Sequence, residues 1–195
     1  FGVGIIALLV GQSNAQNWTA TAYGSQVDLG AKYSGSWALA AAGSGPGAIP
    51  FLDSLCTAYS IPVALLNYGV GGTAISAWDQ ASDPYASDAL DAVTATGGAC
   101  EYILWSQGEE DARIGTTQGA YETALATTIA MFRANITNRS TKTNLPFLIG
   151  TLGRGEASAL GSEAQADAIR KAQFAAAAAG SDVYIAASAL DLPLT

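Results

Sequence analysis

Ser13 lies in the run Leu8 to Gln16, LLVGQSNAQ, where a stretch of aliphatic residues ends in Gly-Gln-Ser-Asn. A hydroxyl at the end of a buried strand suits one of two tasks. It can close a turn by satisfying nearby amides, or it can present Oγ as a nucleophile with its own N–H turned into the same crevice. The run is not the G-x-S-x-G elbow of α/β-hydrolases, because Ala15 stands where the second glycine would be.

Two further stretches carry residue types suited to chemistry. Asn67 to Trp78 reads NYGVGGTAISAW, and its Gly69, Gly71 and Ala74 fit the G-x-G-x-x-A spacing of a dinucleotide-binding turn. Such a turn needs a helix opening at once and an acidic residue at the end of a second strand. Asp88 and Asp91 lie near the required distance but inside a stretch that reads as helix. The other use of these glycines is a bare backbone N–H offered to an oxyanion, with no Cβ in the way.

The third stretch, Trp105 to Ala112, reads WSQGEEDA and gathers Gln107, Glu109, Glu110 and Asp111 after a strand. Clustered carboxylates suggest glycoside hydrolysis or metal binding. A metal would need ligands from other loops, and the chain has no histidine. Gln107 is a candidate side-chain donor to the same oxyanion, and Glu109 a candidate for fixing the loops by hydrogen bonds. Glu110 reads as a solvated carboxylate suiting a helix N-terminus.

These loops need elements to hold them. Continuous apolar runs mark buried strands at Ile5 to Val10, Pro62 to Tyr68, Glu101 to Trp105, Phe147 to Thr151 and Val183 to Ala187. Helices are expected at Phe51 to Tyr59, Asp83 to Thr94, Thr117 to Asn135 and Glu163 to Ala179. In the third, Tyr121, Leu125, Ile129 and Phe132 recur at helical spacing, and Gly180 closes the fourth. Alternating strands and helices mean an α/β domain over residues 1–195, with a five-stranded parallel sheet covered on both faces. The first three strands each end in one of the three loops, and ligands of open parallel sheets bind beyond the carboxyl ends of the strands. A long polar segment from Asn17 to about Pro50 carries Trp18, Tyr23, Tyr33 and Trp37, and a connection of that length is usually functional.

Taken together, GQSN, GGTAI with a following Trp, and WSQGEED resemble three ordered blocks of the SGNH-hydrolase superfamily. The nearest branch is that of sialate O-acetylesterases and carbohydrate acetyl-esterases, and the likeness runs over essentially the whole chain. The resemblance implies a flavodoxin-like three-layer α/β/α fold, no cofactor, and serine-mediated removal of acetyl groups from a carbohydrate. By position it makes Ser13 the nucleophile. The oxyanion donors become the Ser13 N–H, the N–H of Gly71 (or Gly72 as the alternative) and the Gln107 side chain. Asn14, Glu109 and Asp111 match positions that support the loops. The family's fourth block, Asp-x-x-His, is not present. The general base is therefore expected beyond Thr195, with Asp191 just upstream of that block rather than the Asp within it. The alternative is a non-catalytic module of the same fold that binds glycans through the aromatic residues of the long segment.

The bulk properties narrow the partners. Eight Lys and Arg against sixteen Asp and Glu give a net charge of −8, with no basic stripe to neutralise nucleic-acid phosphates or an anionic membrane surface. Half of the residues are hydrophobic, yet none of the apolar runs is long enough to span a bilayer. The apolar start has no basic region before it and reads as a buried strand rather than a signal peptide. Asn17, Asn135 and Asn138 each begin an N-x-S/T sequon, where composition predicts about one by chance. Together with few lysines and abundant small residues, they suggest an extracellular chain or one on a virion or filament surface. Cys56 and Cys100 read as buried thiols, with one bridge between them the other arrangement.

Overall fold

A computed structural model describes residues 4–17, 30–33, 37–39, 48–153 and 160–187. Strand β1 (Ile5–Gly11) is followed by a short helix α1 (Ser13–Asn17), strands β2 (Gly30–Tyr33) and β3 (Trp37–Leu39), and helix α2 (Ala48–Tyr59). Strand β4 (Val63–Gly69), a 3-10 turn at Ile75–Ala77 and helix α3 (Pro84–Ala95) come next. Then follow β5 (Ala99–Cys100), β6 (Tyr102–Ser106), α4 (Glu109–Ile114), α5 (Gln118–Asn135), β7 (Thr137–Asn138) and β8 (Phe147–Gly150). Helix α6 (Glu163–Ala179) and strand β9 (Val183–Ala187) complete the described elements.

The main sheet has the order β3-β2-β4-β1-β6-β8-β9, and every pairing in it is parallel except β2 with β3. The five strands expected from the apolar runs are its centre and one flank. Two short strands from the long polar segment extend the other flank. From β1 the chain goes out to β2 and β3 at one edge, comes back to β4 beside β1, and then crosses to the opposite side with β6. A switch of direction therefore falls at β1, where an open parallel sheet leaves a crevice. Register brings the three strand ends level, with Gly11 opposite both Gly69 and Ser106.

Side-chain alternation sorts the core into two layers. Leu8 and Val10 of β1 face the cluster that includes Val93 of α3, Phe132 of α5 and Ile169 of α6. Ala7 and Leu9 face the smaller cluster with Leu52 and Cys56 of α2. Helix α6 begins with a full capping box, in which the Ser162 side chain and the Gln165 side chain each satisfy the other's backbone N–H. Cys56 and Cys100 are both free and buried, and they belong to the two clusters on opposite faces of the sheet. The conceivable bridge between them is thus not made. Burial pushes the Cys100 thiol up to about 12, aided by the neighbouring Glu101 carboxylate, as befits an inert core thiol.

Candidate active site

The carboxyl ends of β1, β4 and β6 are stitched together before any side chain is considered. Gln12 N donates to Ser106 O and Val70 N to Gly11 O, each at 2.9 Å. Gly11 makes this possible: its φ is +138°, and a Cβ there would run into the Ser106 carbonyl. From this seam Ser13 opens α1, so its N–H belongs to the first turn, where amides have no partner within the helix. Gly69 lets α1 press against the end of β4, since a Cβ at that position would fall inside the backbone of Gln16. Asn67 secures the contact by donating from Nδ2 to Ala15 O at 2.9 Å, while its Oδ1 accepts the Gly69 N–H at 3.0 Å.

Gly71 comes to Ser13. A Cβ built on it would lie 3.7 Å from Ser13 Cβ, and its N–H donates to Gln16 Oε1 at 3.0 Å. Gly72, at φ +71°, has open space around it and is not brought to Ser13 in this way. The segment after Gly69 turns through Ile75–Ala77 before α3 starts at Pro84, so no helix opens at the glycines. The dinucleotide reading of Gly69, Gly71 and Ala74 therefore lacks its helix. Trp78 instead packs edge-on against Trp105, with ring centroids 6.1 Å apart, and donates from Nε1 to Thr73 Oγ1.

Gln107 departs from the expectation of an oxyanion donor. Its Nε2 lies 2.5 Å from Asp111 Oδ2 and 3.0 Å from Thr73 O, which occupies both amide hydrogens in the buried interior. Its Oε1 accepts from the Tyr121 hydroxyl at 2.9 Å, and a flipped amide would face two acceptors with its oxygen. Gln107 is a buried tie between loops. Asp111 works with it: Oδ2 also accepts the Ile75 N–H at 2.8 Å, and Oδ1 accepts from Thr116 Oγ1 at 2.9 Å. One carboxylate thus joins the loops after β4 and β6, and the buried set extends to Gln173 of α6, whose Nε2 donates to Gln107 O.

Sequence reasoning missed Gln12. Its Oε1 accepts from Gly108 N at 3.2 Å and Glu110 N at 3.1 Å, taking the first amides of α4 across the crevice. The position inside GQSN was the available signal. Asn14 and Glu109 meet across the crevice, with Asn14 Nδ2 donating to Glu109 Oε1 at 2.5 Å. Glu109 Oε2 is buried and has no hydrogen-bond partner. Burial holds this carboxyl above its ordinary range, opposed by its own backbone N–H at the helix start and by Asn14. Glu110, expected as a solvated carboxylate, is half-buried and paired with the exposed Arg113, whose contact holds the carboxyl low.

Of the remaining candidates, Asn135 is exposed with Nδ2 donating to Met131 O, and Asn138 donates to Lys142 O. The side chain of Asn17 lies outside the described residues. So do Trp18 and Tyr23, residues 188–195 with Asp191 and Thr195 among them, and the side chains of Tyr33 and Trp37.

The chain is similar to a carbohydrate acetylesterase from Xanthomonas citri, with 20% identity and a TM-score of 0.77 over 96% of this chain and 50% of that one. It thus spans half the length of that protein. A crystal structure of an Arabidopsis thaliana protein is similar at 19% identity and a TM-score of 0.72, covering 98% of this chain and 88% of that one. The SGNH-hydrolase family esterase AlinE4 gives 14% identity and 0.57, covering 99% and 82%. These likenesses establish the three-layer α/β/α fold of SGNH hydrolases. No curated protein sequence matches. The family described as "Carbohydrate esterase, sialic acid-specific acetylesterase" matches residues 12–194, and the chain belongs to that family.

Proposed function

We propose that this domain removes O-acetyl groups from a carbohydrate by way of an acetyl-enzyme on Ser13. The observation that carries the reading is the approach of Gly71 to the Ser13 side chain at the ends of β1 and β4, where a Cβ on Gly71 would lie 3.7 Å from Ser13 Cβ. Ser13 Oγ attacks the acetyl carbonyl carbon and gives its proton to a general base. The bond to the sugar oxygen then breaks, that oxygen takes a proton, and water repeats the sequence to release acetate. Charge on the former carbonyl oxygen is met by the N–H groups of Ser13 and Gly71. Loss of one such donor typically lowers kcat by about 10²–10³. Gln107 acts one step back, through Asp111, by holding the loops that carry these donors.

The 195 residues contain no histidine. In this reading the base is a histidine from an Asp-x-x-His block outside them. Family membership supports the acetylated-carbohydrate class of substrate. A secreted site of action is part of the same reading, and a mass shift on deglycosylation at the exposed Asn135 is its check.

The test uses the natural full-length protein with an acetylated sialic acid or xylo-oligosaccharide and measures acetate release. Ser13→Ala is expected to lower kcat on the order of 10⁶-fold, as in triad knockouts. Equal rates for wild type and Ser13→Ala would overturn the assignment. Glycan binding with no turnover by the wild-type chain would favour the non-catalytic module instead.

A further inference from the structure

Gln16 stands one helical turn beyond Ser13 on α1, so the two side chains leave the same face of the helix. Its carboxamide oxygen accepts the Gly71 N–H at 3.0 Å. A Cβ built on Gly71 falls 2.9 Å from that oxygen and 3.7 Å from Ser13 Cβ, so Gln16 Oε1 and the serine side chain both border Gly71. An amide carbonyl and an ester carbonyl are both planar sp² acceptors and ask the same of an N–H donor.

The backbone beneath Gln16 is fixed. Gln16 N donates to Gln12 O at 2.9 Å, Asn67 holds Ala15 O, and Gly69 abuts the Gln16 backbone. Gln16 itself is exposed, so its side chain can turn while α1 stays in place. Rotamer changes of exposed side chains take picoseconds to nanoseconds.

We infer that Gln16 is an internal competitor for the oxyanion position: its carboxamide oxygen holds the Gly71 N–H that the acetyl carbonyl oxygen would take, and an incoming ester must displace it to gain that donor. The inference rests on the esterase reading above. It also gives the site a preference. A charged acceptor takes an N–H about twice as strongly as a neutral one, so the developing oxyanion evicts Gln16 more readily than the ground-state carbonyl does.

The experiment measures kcat/KM of the natural full-length protein with p-nitrophenyl acetate for wild type, Gln16→Met, Gln16→Glu and Ser13→Ala. Met keeps the length of the side chain and removes the acceptor. A rise in kcat/KM of about 2- to 10-fold is expected for Gln16→Met, the span of one net hydrogen bond. Gln16→Glu, which offers Gly71 a charged acceptor, is expected to lower kcat/KM several-fold. An unchanged or lower value for Gln16→Met, or an unchanged or higher value for Gln16→Glu, overturns the inference. Gln16→Ala, at this exposed position, replaces Gln16→Met should the latter unfold, and the same rise is expected. If Ser13→Ala abolishes turnover while Gln16→Met raises nothing, only the role of Gln16 falls. If Ser13→Ala retains full turnover, the esterase assignment falls with it.

Discussion

The carboxyl edge of the sheet and the core beneath it are built on opposite rules. Among the described residues, eight polar or charged side chains are buried, and all but Thr128 stand at or against the carboxyl ends of the strands. Below them the fully buried side chains are large and apolar, as with Trp105, Phe132 and Phe147. A buried amide or carboxylate contributes little net stability when paired and costs 1–3 kcal/mol or so when its partner is lost. Such groups are a poor way to make a domain stable and a good way to fix loops in one arrangement. Arg170 illustrates the point: its guanidinium donates to Leu152 O and Gly153 O, tying down the chain after β8, with Glu163 and Asp167 as counter-charges. The contrast suggests that the core sets whether the domain folds and the polar edge sets where Ser13 and Gly71 stand.

Substitutions can break that division. The largest stability effect is expected in the core, where Phe147→Ala should cost about 3–5 kcal/mol in denaturant unfolding. The folded fraction should keep its kcat/KM, and a parallel fall in kcat/KM would blur the contrast. Asp111→Ala leaves the Ile75 N–H without its acceptor and takes one of several acceptors from the Gln107 amide, and about 1–3 kcal/mol should be lost. Here kcat/KM should fall as well. Asp111→Asn should restore most of both, because one amide oxygen can take the Oδ2 role while its NH₂ faces the Thr116 hydroxyl.

The smallest effect concerns Glu109 and is read through pH. Its carboxyl is raised by burial in the folded protein, so it favours the folded state while protonated. That contribution is complete below the ordinary glutamate range, near pH 4.3 or so, and is lost as pH rises through the higher folded value. Glu109→Gln should remove the dependence, making Tm less sensitive to pH than wild type between about pH 4 and pH 7. A variant with the same pH slope as wild type would show that Glu109 is not the group responsible.

The fold was legible where hydrophobic pattern and chain length agree. The five apolar runs became the centre and one flank of the sheet, and Glu163 to Ala179 was read to the residue, with Gly180 as the local signal that closes it. Strands β2 and β3, four and three residues long, were not seen within a Gly-rich polar stretch. Pattern over so few residues is swamped by composition. The three site loops were legible as motifs, and their meeting followed from strand order. The polar wiring was not. Gln12 and the α4 amides it accepts lie more than ninety positions apart, and Gln107 looked like a donor to substrate until Asp111 and Thr73 were seen to claim its hydrogens. Neither partnership leaves a periodic trace in the sequence.

The central claim, that Ser13 carries the acetyl group, is tested most directly by rapid quenching. The natural full-length protein would be stopped during turnover of an acetyl ester, digested, and its peptides weighed. The account predicts one acetyl adduct on the peptide containing Ser13, absent from Ser13→Ala. Acetate release with the adduct on another residue, or undiminished release from Ser13→Ala, would contradict it.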